Sequence, residues 1–413
     1  MPDDHTGLAT AERTIQGLNE SGLAAFNDGF HALVDDAQLA GVVTLIARRG
    51  EVVNFDAYGK LDASTDVPVQ KDSIFRLASM TKPIIGAAMM MLWEEGKWAL
   101  DDPVAKHIPE FEGLKVRVKD GDPVAQATPM TMRQLMSHSA GFGRLAEYQD
   151  TSPRDDPRAA ALGPGSVLRR GDLKDMIATL AKLPLSFQPG TQWRYGPSVD
   201  IQGYVIEQLS GQGLDEFLQQ RLFGPLGMVD TGFWVAPANG HRVSRIHKYD
   251  DAGKITVAGE SNSFNTAKPK FLSGGGGLVG TAQDYWRFAQ MILDGGEFGG
   301  RRYLKASTVE LMHTNVLAPG VEVTLYFPDT VGLGFGMDFA IVQDPVAAKT
   351  SQGVESFYWG GAFGTWFWID PINQLIVVGL IQNMAGSQTA AGNPAVRELS
   401  ARAVYAAMTD RKP

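Results

Sequence analysis

The run from Pro83 to Trp93 constrains this chain more than any other segment, because Ile84, Ile85, Ala87, Ala88, Met89, Met90, Met91 and Leu92 make it apolar on nearly every side. A helix without a polar face has to lie inside the protein, packed all round by other elements. The run opens on Ser79-Met80-Thr81-Lys82, within Phe75-Arg-Leu-Ala-Ser-Met-Thr-Lys-Pro83. Residues three apart on a helix share a face, so the Lys82 amine falls within reach of the Ser79 hydroxyl. A serine hydroxyl needs a neighbour to take its proton, and a lysine can do so where burial keeps it neutral. The apolar helix supplies that burial. A structural reading, an N-capping serine beside a solvated lysine, competes. Against it, this is the only Ser-x-x-Lys in the chain, and it begins the most hydrophobic helix.

Composition removes several function classes. With 413 residues there is chain for two or three domains and a large core. The net charge of -9, with no lysine or arginine cluster, argues against nucleic acid as a partner. Met1-Pro-Asp-Asp-His-Thr-Gly-Leu has neither a basic nor an apolar leader region, and no apolar stretch approaches membrane-spanning length; no membrane association and a cytoplasmic location are expected. Cysteine is absent, which excludes thiol nucleophiles, and the seven histidines form no His-x-x-x-His or His-x-His pair. No metal and no cofactor are expected.

Along the chain, residues 11–37 read as one amphipathic helix, and Gly41 to Ala47 with Glu51 to Tyr58 as a strand pair. The core helix is expected to end near Gly96. Helices follow from Thr131 to His138, Leu173 to Leu183 and Val199 to Leu209, the last stopped by Gly211. Gly274-Gly-Gly-Gly277 reads as a turn, because no Gly-Lys-Ser/Thr follows it to cradle phosphate. Thr281-Ala-Gln-Asp284 then starts a helix to about Leu293. Near the end, Phe357 to Ile369 reads as one aromatic strand, paired through a turn at Asp370 to Asn373 with Leu375 to Ile381, and Ala395 to Met408 as a last helix. Strands near both ends around a helical middle predict an α/β fold with an all-α insertion. The expected division is a discontinuous α/β domain of residues 1–76 and 272–413 and a mainly helical domain of residues 77–271, with the active serine at the junction.

A Ser-Lys pair needs an oxyanion hole and a second proton carrier. Pro189-Gly-Thr-Gln-Trp-Arg-Tyr195-Gly-Pro-Ser198 is a turn that delivers Tyr195 just before a helix. Trp359-Gly360-Gly361-Ala362-Phe-Gly364-Thr365 has paired glycines that leave backbone N–H groups open to a substrate carbonyl. No Gly-x-Ser-x-Gly elbow occurs, and His138, between Ser137 and Ser139, is read as holding a loop beneath the site.

These three segments, in this order, resemble the serine β-lactamase and penicillin-binding-protein superfamily, and most closely its family VIII carboxylesterases. The resemblance covers most of the chain and includes Leu135-Met-Ser-His-Ser-Ala-Gly141, Phe187-Gln-Pro-Gly-Thr191, Gly224-Pro-Leu-Gly-Met228 and Gly275-Gly-Gly-Leu-Val-Gly-Thr281. It implies a serine β-lactamase-like fold, an antiparallel sheet flanked by helices with an inserted helical domain. It also implies Ser79 as acylated nucleophile, Lys82 as adjacent base, Tyr195 as proton shuttle, and the backbone N–H groups of Ser79 and Ala362 as oxyanion hole. Trp359, Gly360, Gly361, Phe142, Tyr148 and Phe363 are the expected substrate contacts. Two departures bear on substrate. Tyr195-Gly196-Pro197 replaces Tyr-x-Asn of β-lactamases, and Trp359-Gly360-Gly361 replaces Lys-Thr-Gly, so an amide and a cation that grip an anionic lactam are missing. The expected activity is hydrolysis of a small-molecule carboxylic ester, with short acyl chains preferred. The rivals are acyl transfer to an alcohol, β-lactamase or D-amino-acid peptidase activity, and a silent binding protein on the same fold. The natural ester and the oligomeric state are not legible.

Overall fold

Long runs of β-branched and aromatic residues make the centre of one sheet. β1 (Gly41–Arg48) and β2 (Glu51–Gly59) form a hairpin whose turn residues Arg49 and Gly50 take φ of +54° and +83°. The computed structural model describes residues 13–119, 121–143, 171–250, 252–258, 264–324, 331–384 and 395–412. Toward the C-terminus come β3 (Leu333–Phe335), β4 (Ala340–Val342), β5 (Phe357–Gly360), β6 (Trp366–Asp370) and β7 (Leu375–Leu380). The seven strands form one antiparallel sheet in the order β3-β4-β5-β6-β7-β1-β2.

Successive strand residues point to opposite faces, and β6 shows what covers each. Trp366 stacks on Phe30 of helix α1 (Glu20–Asp35), with ring centroids 5.7 Å apart. Its indole N–H, like that of Trp368, donates to Ser400 of the C-terminal helix Val396–Ala407. The next residue, Phe367, meets Tyr285 of the helix Ala282–Leu293 at 4.8 Å on the other face. Both faces are therefore sealed, which is why β1, β6 and β7 are apolar almost throughout instead of alternating.

The apolar run forms helix α2 (Thr81–Glu94), in which every residue from Thr81 to Leu92 is buried. From the middle of the chain, α3 (Met132–Met136) and α4 (Leu173–Leu180) pack against α5 (Ser198–Ser210), which itself lies along α2. Local signals set their ends. Thr131 and Gln134 make a reciprocal capping box at the start of α3, and Gly211 stops α5 in the left-handed conformation at φ +70°. Of the helices that follow, the two that cover the sheet are named α6 (Ala282–Leu293) and α7 (Val396–Ala407). No helix among the described residues is long and apolar enough to cross a membrane.

Two expectations need correction. Residues 11–37 are not one helix: Thr14–Ile15 and Leu18–Asn19 pair around Gln16 and Gly17, both at positive φ, and α1 begins only at Glu20, capped by Asn19. Phe357 to Ile369 is likewise two strands and not one. Residues 361–365 fold the chain back on itself: the Gly361 N–H donates to the Thr365 carbonyl at 2.7 Å, and Gly364 takes φ +84°. Aromatic residues on both sides, with Phe363 between them, hid this turn, although Gly360, Gly361 and Gly364 mark it.

Candidate active site

Ser79 sits where a strand end becomes a buried helix. Phe75–Arg76 pairs with Val279–Gly280, and the Leu77 N–H donates to the Leu278 carbonyl at 2.9 Å. Residues Ala78–Met80 then make a single 3₁₀ turn into α2, with Ala78 at φ +48°. A left-handed alanine costs on the order of 1–3 kcal/mol and persists only where its surroundings hold it. Here they do. The Thr365 hydroxyl donates to the Leu77 carbonyl at 3.1 Å, the buried Tyr285 hydroxyl to the Met80 carbonyl at 3.0 Å, and the Leu278 N–H to Thr81 Oγ1 at 3.2 Å.

Lys82, one turn on, is 4% exposed. Its Nζ donates to Ser79 Oγ at 3.2 Å and to the Gly275 carbonyl at 2.5 Å, and lies 4.5 Å from the centre of the Tyr195 ring. Tyr195 reaches the same serine from the opposite side, its hydroxyl donating to Ser79 Oγ at 2.6 Å. The tyrosine stands on the turn before α5. That turn is tied to the end of α3, because the Arg194 N–H donates to the His138 carbonyl at 3.0 Å and the Gly190 N–H to that of Ser139 at 2.8 Å. The buried His138 ring packs against Tyr195 at 5.0 Å, beside Trp193 and Phe335.

The glycine run 274–277 is the turn its composition indicates, and its backbone also lines the site. Asp200, in the first turn of α5, accepts from the Ser273 hydroxyl at 2.7 Å and the Gly275 N–H at 2.8 Å through one oxygen. A Cβ on Gly275 would stand 2.7 Å from the other oxygen of that carboxylate. Asp200 thus fixes the strand of backbone whose carbonyl receives Lys82. Sequence reasoning missed this residue. The only signal was its place five residues after Tyr195.

The segment 359–363 closes the site. A Cβ on Gly361 would lie 2.5 Å from the Leu77 carbonyl and 3.2 Å from the Ala78 Cβ, so only glycine lets this turn rest against the residues before Ser79. Ala362, next along, is exposed, and Phe363 is half-buried with its carbonyl accepting from the Asn383 N–H. Trp359 is 4% exposed; its ring lies 5.4 Å from Tyr195 and 5.5 Å from Phe335. Phe142 is buried with its ring against Phe111 at 5.6 Å, and its carbonyl flanks Gly196. Tyr148 lies outside the described residues. A cavity of about 410 Å³ lined by Phe223, Phe233, Trp234 and Val235 carries none of these groups on its wall.

Residues 26–401 match the family model described as Beta-lactamase. Protein Rv1367c of Mycobacterium tuberculosis (strain ATCC 25618 / H37Rv) is 32% identical over 382 residues, which is 88% of this chain and 92% of that protein. Esterase EstB of Burkholderia gladioli is 30% identical over 375 residues, 87% of this chain and 90% of the esterase. The solved structure of EstCE1, described as a hydrolase with promiscuous acyltransferase activity, aligns with a TM-score of 0.76 at 26% identity, covering 93% of this chain and 99% of that one.

Proposed function

The chain belongs to the β-lactamase family and is a serine hydrolase of its esterase-like branch, and on that premise we propose that it hydrolyses carboxylic esters through an acyl-enzyme on Ser79. One observation carries the reading: a single serine hydroxyl in contact with a tyrosine hydroxyl at 2.6 Å and a buried lysine amine at 3.2 Å, with an indole beside the tyrosine. Lactamases of the family carry a cation in the motif where this chain has Trp359.

Ser79 Oγ attacks the ester carbonyl carbon while its proton passes to the Tyr195/Lys82 pair. Collapse of the tetrahedral adduct breaks the bond to the alcohol oxygen, and the alcohol leaves with that proton. Water then adds to the acyl-serine, the pair takes a proton from it, and the carboxylic acid departs as Ser79 regains its own. Both groups touch the same oxygen, so either is placed to exchange a proton with it. The backbone N–H groups of Ser79 and Ala362 receive the oxyanion. A donor in that position is worth about 3–4 kcal/mol to the transition state. Gly361, the residue before Ala362, packs against Leu77 and Ala78, which precede Ser79, and this supports the reading. Short acyl chains are the expected substrates, by resemblance to the family's esterases.

Acyl transfer to an alcohol is the second reading. It needs no new residue, only an alcohol in place of water at deacylation, and EstCE1 is described as having such promiscuous activity. Pro197 and Trp359 stand against lactam and D-amino-acid peptide turnover. The test is a panel of p-nitrophenyl esters of rising chain length beside a chromogenic cephalosporin, each with and without an acceptor alcohol. Rapid release from the short esters supports the reading, and cephalosporin turnover exceeding that of every ester would overturn it. Ester product outrunning acid in the alcohol arm would select acyl transfer.

A further inference from the structure

Asp338 is a buried acid that the chemistry above leaves unused. Its side chain is 0% exposed, at φ +64°, where the elements of the site converge. From α5, Gln202 Nε2 donates to Asp338 Oδ1 at 3.3 Å, and the same nitrogen reaches the Leu135 carbonyl of α3 at 3.4 Å. The Asp338 N–H donates to the Met136 carbonyl at 3.3 Å. On α2, Gly86 lies one turn beyond Lys82 on the same face. A Cβ there would stand 3.0 Å from Asp338 Oδ2, which has no hydrogen-bond partner among the described residues.

Two locally unfavourable choices make room for this carboxyl group. Glycine inside a helix is less stable than alanine, and a non-glycine residue at positive φ is strained. Alanine at 86 facing a smaller apolar residue at 338 would fill the space without the first cost, so the pairing calls for a role beyond packing. The environment also selects a protonation state. Lys82 on α2 is the ionisable group that faces the acid; α5 presents the neutral Gln202 amide, and α3 the Leu135 and Met136 carbonyls. One neutral donor at 3.3 Å cannot replace the hydration of a carboxylate. Burial pushes the Asp338 carboxyl well above the usual carboxylate range, and neither the Gln202 contact nor the pull that a charge on Lys82 would exert reverses it.

We propose that Asp338 is a positioning residue for Lys82, held as a neutral carboxylic acid so that the lysine amine stays free to take the Ser79 proton. An ionised carboxylate behind α2 would hold Lys82 as ammonium, which cannot act as a base. The neutral acid fills the same volume and keeps the Gln202 contact without that effect. This rests on Lys82 taking part in proton transfer in the acyl-enzyme reading, but the protonation of Asp338 can be read without any turnover.

Infrared difference spectra of wild type against Asp338→Asn at neutral pH, repeated in a Ser79→Ala background, test it. The expected result is a protonated-carboxyl C=O band lost in the Asn variant, with the acid limb of kcat/KM moving by less than about half a pH unit, since asparagine is neutral like the acid it replaces. Absence of the band, or an acid limb displaced to lower pH by about half a unit or more, overturns the proposal, because it would show that a carboxylate had been stabilising the ammonium. If Asp338→Asn does not fold, ¹³C NMR of the aspartate carboxyls in the wild-type protein asks the same question. One carboxyl carbon should keep its protonated shift through neutral pH, and titration of all of them in the ordinary acidic range would refute the assignment. Should the band be present while Lys82→Arg stays active, the role of the lysine fails and the state of Asp338 stands.

Discussion

The Tyr195 hydroxyl donates to Ser79 Oγ across 2.6 Å of space and 116 positions of sequence. Ser79 is placed by the start of α2 and Tyr195 by the turn before α5, and Lys82 reaches the same oxygen from within α2. The site is therefore complete only when these helices have packed.

Replacing Ser79 gives the sharpest outcome. Ser79→Ala should lower kcat on the order of 10⁵ to 10⁶ with the fold unchanged, measured on purified protein with circular dichroism as control. An organophosphonate should add its mass to Ser79. Ser139 and Ser198, 3% and 1% exposed, should stay unlabelled.

Lys82→Arg should be as inactive as Lys82→Ala, since guanidinium does not surrender its proton at working pH. Steady-state kinetics decide the matter: activity above about a few per cent of wild type in the Arg variant would mean that Lys82 supplies charge and not proton transfer.

Tyr195→Phe removes one hydroxyl, so kcat should fall roughly 10²- to 10⁴-fold with KM little changed. Alkyl esters need a proton on the leaving alcohol and should suffer more than p-nitrophenyl esters, which do not. Equal losses on both would place the tyrosine at attack and not at departure.

Gly361→Ala should damage catalysis without touching a reacting side chain. Its Cβ would lie 2.1 Å from Thr365 Oγ1 and 2.5 Å from the Leu77 carbonyl, so the turn must move away from Ser79. A displaced oxyanion donor predicts a loss of about 10² to 10³ in kcat, with circular dichroism close to that of wild type.

The acid side of the stability curve should depend on His247. Burial lowers its pKa to about 4, with Asp62 pulling the other way, and its Nε2 accepts from the Ala63 N–H at 3.1 Å. Between about pH 4 and 6.5 the unfolded chain binds a proton that the folded histidine refuses, so this group makes stability fall as pH drops through that window. The full effect is on the order of 3 kcal/mol. His247→Gln keeps an acceptor for Ala63, and thermal melts across this range should show a shallower acid slope than wild type. Parallel slopes would show that His247 does not set the dependence.

Much of the site was legible because its information is local. The three-residue spacing of Ser79 and Lys82 implies a shared face wherever a helix forms, and the apolar run after them implies burial; the structure gives a bond of 3.2 Å and a lysine 4% exposed. The cap at Thr131, the stop at Gly211 and the hairpin at Arg49 and Gly50 are likewise written within a few residues of where they act. The turn at 361–365 was missed for a related reason. Aromatic side chains on both sides signal strand and outweighed Gly360, Gly361 and Gly364, which mark the turn, while the bonds that bend this stretch, from Gly361 to Thr365 and from Thr365 to Leu77, appear only in the fold.

The sequence by itself determined a serine beside a lysine at the head of a buried helix, the motifs that supply a tyrosine and two glycines, and a sheet built from both ends of the chain. Only the tertiary structure decided which groups meet: the Gly275 carbonyl on Lys82, Asp200 behind that glycine, Gly361 against Leu77, and Asp338 in the space that Gly86 leaves open. Each of these contacts joins residues far apart in the chain through a carbonyl, a missing Cβ or a single buried oxygen. Helical period and apolar pattern record what a residue does to its neighbours in sequence; contacts of this kind exist only once separate elements pack in one register.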